Sequence, residues 1–520
     1  MHGAHLILAL LIAVAALVTI ARAVGIAYPI FLVIGGLLLG LVPGVPRFAV
    51  EPDLIFLIVL PPLLYIAAFS TPVRGLRANL GTISSLAVGL VLISALVVAV
   101  VARALIPGLP WSVAIALGAI VAPPDAIAAT AIASRLGLPR QIVTILEGES
   151  LLNDATALTI YSIALAAAAG TSFSAGTAVT MFTAALVGGG VIGLAVGWVI
   201  ARIRTRIEDT PVEITISLLT PYAAFLTADR LGASGVIATV AAGLYLGHQR
   251  PHMMGADVRL TGRAVWDTLT FLLNGFVFIV MGLEVPLLFR TLTPSLALHL
   301  LSVGAAVSLT LLVVRAVVIF ATIFVPRLFR RALDLPRPLA CGAVLSWAGM
   351  RGVVSLAAAL ALPTALSAGG PLASREALII VTMTVIVFTL LGQGLTLPPL
   401  IRRLGLAGDP GLRVEEALAR QQLLEAATRR LDQLYPVWPG HRPLLDQLRA
   451  TYAHRSEHLA PPADGGGEDQ ELIEHREIRR TIIDAEREAI MRLRAEGEIS
   501  DEVLRGLERE LDLEERRMDA

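Results

Sequence analysis

Thirteen apolar runs recur along this chain, and nothing else in it restricts the possible folds so strongly. They lie near residues 5–24, 27–44, 53–71, 82–106, 111–133, 141–169, 176–201, 211–229, 234–248, 264–289, 297–326, 338–364 and 374–401. A helix needs about 20 such residues to cross a hydrocarbon layer of ~30 Å. In lipid every backbone polar group must be satisfied internally, which leaves helices or closed barrels. Runs of this length suit helices. The expected fold class is therefore all-α, a polytopic membrane protein of about 13 transmembrane helices.

Charge follows the same division. Charged residues are 16% of the chain, against about a quarter in a soluble domain. Before residue 405 there are 24 Arg and 15 Asp or Glu, a balance of +9; from 405 onward 17 Arg face 26 acids, a balance of −9. The formal neutrality hides a lipid-suited domain at 1–404 and a water-suited tail at 405–520. In that tail Leu472, Ile473, Ile478, Ile482, Ile483, Ile490 and Leu493 recur near helical spacing among Glu and Arg, which predicts a cytoplasmic helical appendage. Pro461-Pro462 and Gly465-Gly466-Gly467 predict a flexible joint within it.

Arginine in the loops sets orientation, because basic loops stay on the cytoplasmic side. Connections after odd-numbered runs hold fifteen arginines and those after even-numbered runs five. The first residue is then outside and the tail, opening with Arg402-Arg403, inside the cell. Residues before the first run include no Arg to form a signal-peptide head, so that run is expected to stay as a membrane helix. The single cysteine, Cys341, excludes an intrachain disulfide and a cysteine metal site.

A charge inside the membrane is costly, so those that persist are functional candidates. Asp125, Glu149, Asp154, Arg315 and Arg351 fall inside runs, and Glu147 lies about two turns into its run. Helical geometry puts Ser150 and Asp154 on one face, with Asn153 beside Ser150. Glu149 is roughly 140° from Asp154 at 100° per residue. One face thus offers a carboxylate, an amide and a hydroxyl, and hard cations prefer oxygen ligands. A polar network knitting helices together is the alternative. Asp125 follows Pro123-Pro124 in mid-run; two prolines remove two backbone donors, and irregular backbone at that depth must line a cavity or be buried in protein. Arg351, inside the twelfth run, needs a buried partner, and Glu149 is the expected one, forming a structural ion pair. Arg315 is expected to pair with an acid or to cap the carbonyls of a broken helix. No H-E-x-x-H or G-x-S-x-G motif occurs and no nucleophile–base set is evident, so the chain is not expected to be an enzyme.

The residues themselves resemble a family. Gly148-Glu149-Ser150-Leu151-Leu152-Asn153-Asp154 resembles the E-S-L-x-N-D signature of the monovalent cation:proton antiporter-1 family, the sodium/proton exchangers. Pro123-Pro124-Asp125-Ala126 resembles its broken-helix acidic motif, and Trp347-Ala348-Gly349-Met350-Arg351-Gly352 its W-x-G-x-R-G stretch. Leu60-Pro61-Pro62-Leu63-Leu64 and Gln393-Gly394-Leu395-Thr396-Leu397 resemble two further segments, so the likeness spans about residues 60 to 403.

The resemblance implies two inverted repeats, two crossing broken helices in the fifth and twelfth segments, and a homodimer in the cell membrane. It implies that Asp154 takes the cation and the proton in competition, with Asn153 marking electroneutral exchange. Asp125 and Ser150 would line the site, with Asp154 and Asp125 as ligands of the transported monovalent cation, and Glu149 would pair with Arg351. No cofactor and no nucleic-acid partner is implied. Two departures stand out: Pro124 replaces a common Thr, and Tyr65-Ile66-Ala67 offers no acid in the third segment. Both remove oxygen ligands and bear on ion choice. The expected function is sodium/proton exchange by alternating access. Potassium/proton exchange is the nearest alternative and a cation channel a more distant one.

Overall fold

A computed structural model describes residues 2–24, 28–42, 55–168, 175–289, 292–328, 337–363, 375–408, 410–457, 470–496, 498 and 501–519. Among these the regular structure is helical, with no strand. The chain divides into two compact units, Met1–Asp409 and Pro410–Ala520. The joint expected at Pro461-Pro462 and Gly465–Gly467, and the loop arginines Arg47, Arg290, Arg330 and Arg331, lie outside the described residues.

The first unit opens with α1 (His2–Val24), α2 (Tyr28–Leu41) and α3 (Leu60–Ser70). A wider π-type turn, Ile55–Val59, leads into α3, and Pro61 and Pro62 occupy the first turn of the helix, where missing N–H groups cost nothing. Next come α4 (Leu80–Leu105), α5 (Trp111–Val121), α6 (Ala126–Leu136) and α7 (Arg140–Ala168). They are followed by α8 (Ala175–Arg204), α9 (Thr210–Arg230), α10 (Gly235–Met253), α11 (Ala256–Phe289) and α12 (Pro294–Leu328). The unit closes with α13 (Pro338–Trp347), α14 (Val353–Leu360) and α15 (Arg375–Arg403). Among the described residues, α4, α7, α8, α9, α11, α12 and α15 each contain a stretch long and apolar enough to cross a membrane.

Local chemistry explains several boundaries. Asp209 caps α9 by accepting the Val212 N–H at 2.9 Å, with Pro211 in the first turn. Ser234 caps α10 through the Ile237 N–H at 3.3 Å. The short apolar run at 234–248 extends to 19 residues because the polar stretch after Gly247 continues the helix to Met253.

Close helix approach depends on small residues where backbones touch. A Cβ on Gly36 of α2 would strike the Ile279 carbonyl of α11, and one on Gly282 of α11 would strike the Val33 carbonyl of α2. The main core runs through α2, α4, α5, α7, α11 and α12 to α15, and α1 joins it through Leu10, Val14 and Val18.

The second unit contains α16 (Pro410–Leu434), α17 (Arg442–Glu457), α18 (Gln470–Ala495) and α19 (Asp501–Asp519). Its expected apolar stripe is only partly used. Ile483 and Ile490 are buried, whereas Ile478 and Ile482 face outward. Arg487 on α18 reaches Asp512 at 2.6 Å and Glu515 at 2.7 Å on α19.

Candidate functional site

Two apolar runs are interrupted where the sequence supplies breakers. α5 stops at Val121 because Pro123 and Pro124 lack the N–H groups a continuing helix needs, and the chain resumes as α6 at Ala126. α13 stops at Trp347, and α14 begins at Val353 after a stretch containing Gly349 and Gly352. The two interruptions touch. The Asp125 N–H donates to the Met350 carbonyl at 2.7 Å, and the Val353 N–H donates to Asp125 Oδ2 at 3.3 Å. Gly352 makes this possible, since a Cβ there would fall on the Asp125 carboxylate.

Charge is distributed to match the four helix ends. A helix carries partial positive charge at its N-terminus and partial negative charge at its C-terminus. Asp125 immediately precedes α6 and accepts from the first turn of α14, so one carboxylate sits at two positive ends. Arg351 does the converse. It donates to the carbonyls of Val121 (2.9 Å), Ala122 (3.3 Å) and Gly349, at the C-terminal ends of α5 and α13. Its own N–H donates to Thr389 Oγ1 on α15 at 3.2 Å.

Opposite the interruptions lies α7. Asp154 is 6% exposed and Asn153 fully buried. Asn153 Nδ2 donates to the Pro124 carbonyl at 2.9 Å, tying α7 to the first interruption, while its Oδ1 is buried without a partner. Asp154, Ser150 and Asp125 line one cavity of about 560 Å3, and Glu147 lines it as well. The spacing 147, 150, 154 is one face of α7. Asp125 and Asp154 are close enough for their charges to interact.

The expected Glu149–Arg351 pair is not formed. Glu149 pairs instead with Arg315 of α12 in a two-pronged contact, Nη1–Oε1 2.5 Å and Nη2–Oε2 2.9 Å, with both side chains 1% exposed. Arg315 Nε donates to the Leu345 carbonyl at 3.0 Å. The physical reason is geometric. A planar guanidinium meets a carboxylate best through two parallel bonds, which the mid-helix Arg315 can offer. Arg351 sits between helix ends whose unsatisfied carbonyls take its donors.

Three further polar features do not show as charges stranded inside the apolar runs. Asn274 of α11 is 1% exposed, lines the cavity of Asp154, and has its Oδ1 buried without a partner. An uncharged amide in an otherwise apolar run was the available signal. Tyr28 of α2 lines the same cavity. Arg204 and Glu213 form a buried pair at 2.8 Å across the α8–α9 turn; both had the look of interfacial charges, but their opposite signs on either side of a short turn marked them.

Known proteins resemble this chain in sequence and in overall fold. A family profile described as "Sodium/hydrogen exchanger, transmembrane" matches residues 8–403. An uncharacterized Na(+)/H(+) exchanger of Mycobacterium tuberculosis is 34% identical over 98% of this chain and 95% of the relative. The Na(+)/H(+) antiporter NhaS2 of Synechocystis is 29% identical over 98% of this chain and 87% of its own length. A Bacillus pumilus protein named a sodium, potassium, lithium and rubidium/H(+) antiporter is 29% identical over 76% of this chain and 61% of its own. In fold, the chain resembles the sodium proton antiporter MjNhaP1 from Methanocaldococcus jannaschii, with a TM-score of 0.63, 19% identity and coverage of 78% and 99%.

Proposed function

The chain belongs to the sodium/hydrogen exchanger family, and from that premise we propose that it exchanges one sodium ion for one proton at Asp154 by alternating access. Membership makes it a membrane transporter rather than an enzyme. The observation that carries the reading is the convergence of Asp154, Asp125 and Ser150 on one cavity beside two interrupted helices. Interrupted helices are a recurring way to build a midplane ion site.

In this reading Asp154 holds either the cation or the proton. A carboxylate that must lose its proton before it can bind sodium cannot carry both, so exchange is obligatory, and one charge each way makes it electroneutral. Asp125 and Ser150 add oxygen ligands. Asn153, through its bond to the Pro124 carbonyl, holds α7 against the first interruption. The tail is cytoplasmic by the arginine bias, and the cavity is lined by Arg22 and Glu147 from the same end of the helices. The site is then open toward the cytoplasm. We read the interrupted pairs α5–α6 and α13–α14 as the crossing broken helices of two inverted repeats, and the protein as a homodimer in the cell membrane.

Potassium/proton exchange is the second reading. The broad ion list in the name of the Bacillus relative favours keeping it, as do Pro124 and Ile66, which leave the site short of two oxygen ligands. Reconstitution into proteoliposomes with a pH-sensitive dye, under sodium, lithium and potassium gradients, tests both. Dye dequenching with sodium that is lost in Asp154→Asn supports the proposal. Exchange that persists in Asp154→Asn overturns it, and a response to potassium alone selects the second reading.

A further inference from the structure

A second cavity, of about 320 Å3, lies where the ends of α8, α9 and α10 meet the start of α11. That volume is at the lower end of the roughly 300–1,000 Å3 usual for ligand pockets. Its chemistry is unlike that of the first. Arg204, Arg250, Arg259 and Arg263 all line it, and Asp267 is the acid among its lining residues. Arg204 spends Nε and Nη2 on a single oxygen, Glu213 Oε1. Its Nη1 is buried and has no partner. An unsatisfied buried donor costs about 1–3 kcal/mol, more if charged, so the group is set up to receive an acceptor.

The other arginines are held in place without being neutralised. Arg259 Nη1 donates to the Met254 carbonyl at 2.6 Å, and the Arg250 guanidinium lies over the Phe69 ring at 6.0 Å. Among the described residues neither makes an ion pair. Arg263 meets Asp267 only at 3.8 Å, with both side chains largely exposed, a contact that screening makes weak. Four guanidinium groups thus face two carboxylates, Glu213 and Asp267. Trp266 forms an apolar wall, fixed by its Nε1–H donating to Ser217 Oγ at 3.0 Å.

We infer that this pocket binds a phosphate-bearing anion, with Arg204 at its base and Arg250, Arg259 and Arg263 around its mouth. Guanidinium is the side chain suited to forked contacts with phosphate oxygens, and basic pockets between membrane helices on the cytoplasmic side take anionic headgroups. Two sources share the chemistry: the headgroup of an anionic phospholipid and soluble phosphate. Ile66, Ser70 and Asp267 also line the cavity of Asp154, so a bound anion offsets positive charge at the entrance of the cation route.

The test uses the full chain, purified in detergent and stripped of lipid, with thermal unfolding and native mass spectrometry as readouts. The probes are phosphatidylglycerol, phosphatidylcholine and inorganic phosphate, applied to wild type, Arg259→Gln and Arg250→Gln/Arg259→Gln. Stabilisation by phosphatidylglycerol but not phosphatidylcholine, weakened at least several-fold in the double variant, supports the site and assigns a lipid source. Stabilisation by inorganic phosphate with the same loss supports it and assigns a soluble source. Equal responses in wild type and variants, or equal binding of both lipids, overturn it. Should the double variant not fold, Arg259→Gln and the salt dependence of wild type decide: binding that ignores both the substitution and added sodium chloride also overturns it.

Discussion

Glu149 on α7 and Arg315 on α12, 166 residues apart in sequence, are joined by two parallel hydrogen bonds in the buried core. Breaking such a pair by removing one partner leaves an uncompensated buried charge, which costs about 3–5 kcal/mol, whereas removing both is often neutral or better. Glu149→Gln or Arg315→Leu should therefore each reduce the yield of folded protein and its unfolding temperature. The double variant Glu149→Leu/Arg315→Leu should recover much of the loss. Arg351→Leu combined with Glu149→Leu should recover nothing, because Arg351 donates to carbonyls rather than to Glu149. A thermal double-mutant cycle reads all three, and rescue by the Arg351 combination would reverse the pairing described here.

Gly352 is the tightest point where the two interruptions meet. A methyl group there displaces the Asp125 carboxylate and the Val353 N–H bond to it. Gly352→Ala is expected to lower exchange by at least about tenfold, ~1.4 kcal/mol, while gel filtration still reports folded protein. Unchanged exchange would mean that Asp125 does not need this position.

Competition at Asp154 has a signed pH dependence. Lowering pH on the cation-binding side keeps the carboxylate protonated and raises the apparent KM for sodium, and excess sodium restores the maximal rate. Initial rates over a matrix of sodium concentration and pH measure this. A maximal rate that falls with pH while KM stays constant would point to a proton site apart from the cation site.

Asn274 lines the cavity, and its acceptor oxygen is buried with nothing bonded to it. An orphaned buried acceptor costs about 1–3 kcal/mol. Asn274→Leu, which removes the oxygen and keeps the volume, should leave the unfolding temperature unchanged or higher. If that oxygen meets the cation or its water in transit, the apparent KM for sodium rises by about tenfold at ~1.4 kcal/mol. A fall in stability without a KM change would make Asn274 a packing residue.

Much of the site was legible in the residues. Pro123-Pro124 announced a break before Asp125, since each proline lacks the N–H that a continuing helix needs and its ring clashes with the preceding turn. The wheel put Ser150 and Asp154 together and turned Glu149 away from them, and the structure has the first two on the cavity and Glu149 paired with Arg315 of α12. Asn274 and the Arg204–Glu213 pair were missed for different reasons. An amide carries no charge to make its burial conspicuous, and a charge near a helix end reads as solvated until its surroundings are known.

The sequence alone determined where the chain could enter lipid, because run length and charge depletion are properties of each segment by itself. It also determined which charges were stranded in those runs and which way each pointed from its own helix axis. Which helix lay opposite was decided only by packing. Glu149 faced away from Asp154 in any fold, but two arginines stood available to it. The approach of α12 to α7 gave it Arg315, while the meeting of the two interruptions surrounded Arg351 with open carbonyls. Partner choice between buried charges depends on distances of a few ångströms between elements far apart in sequence, and those distances exist only once the helices have docked.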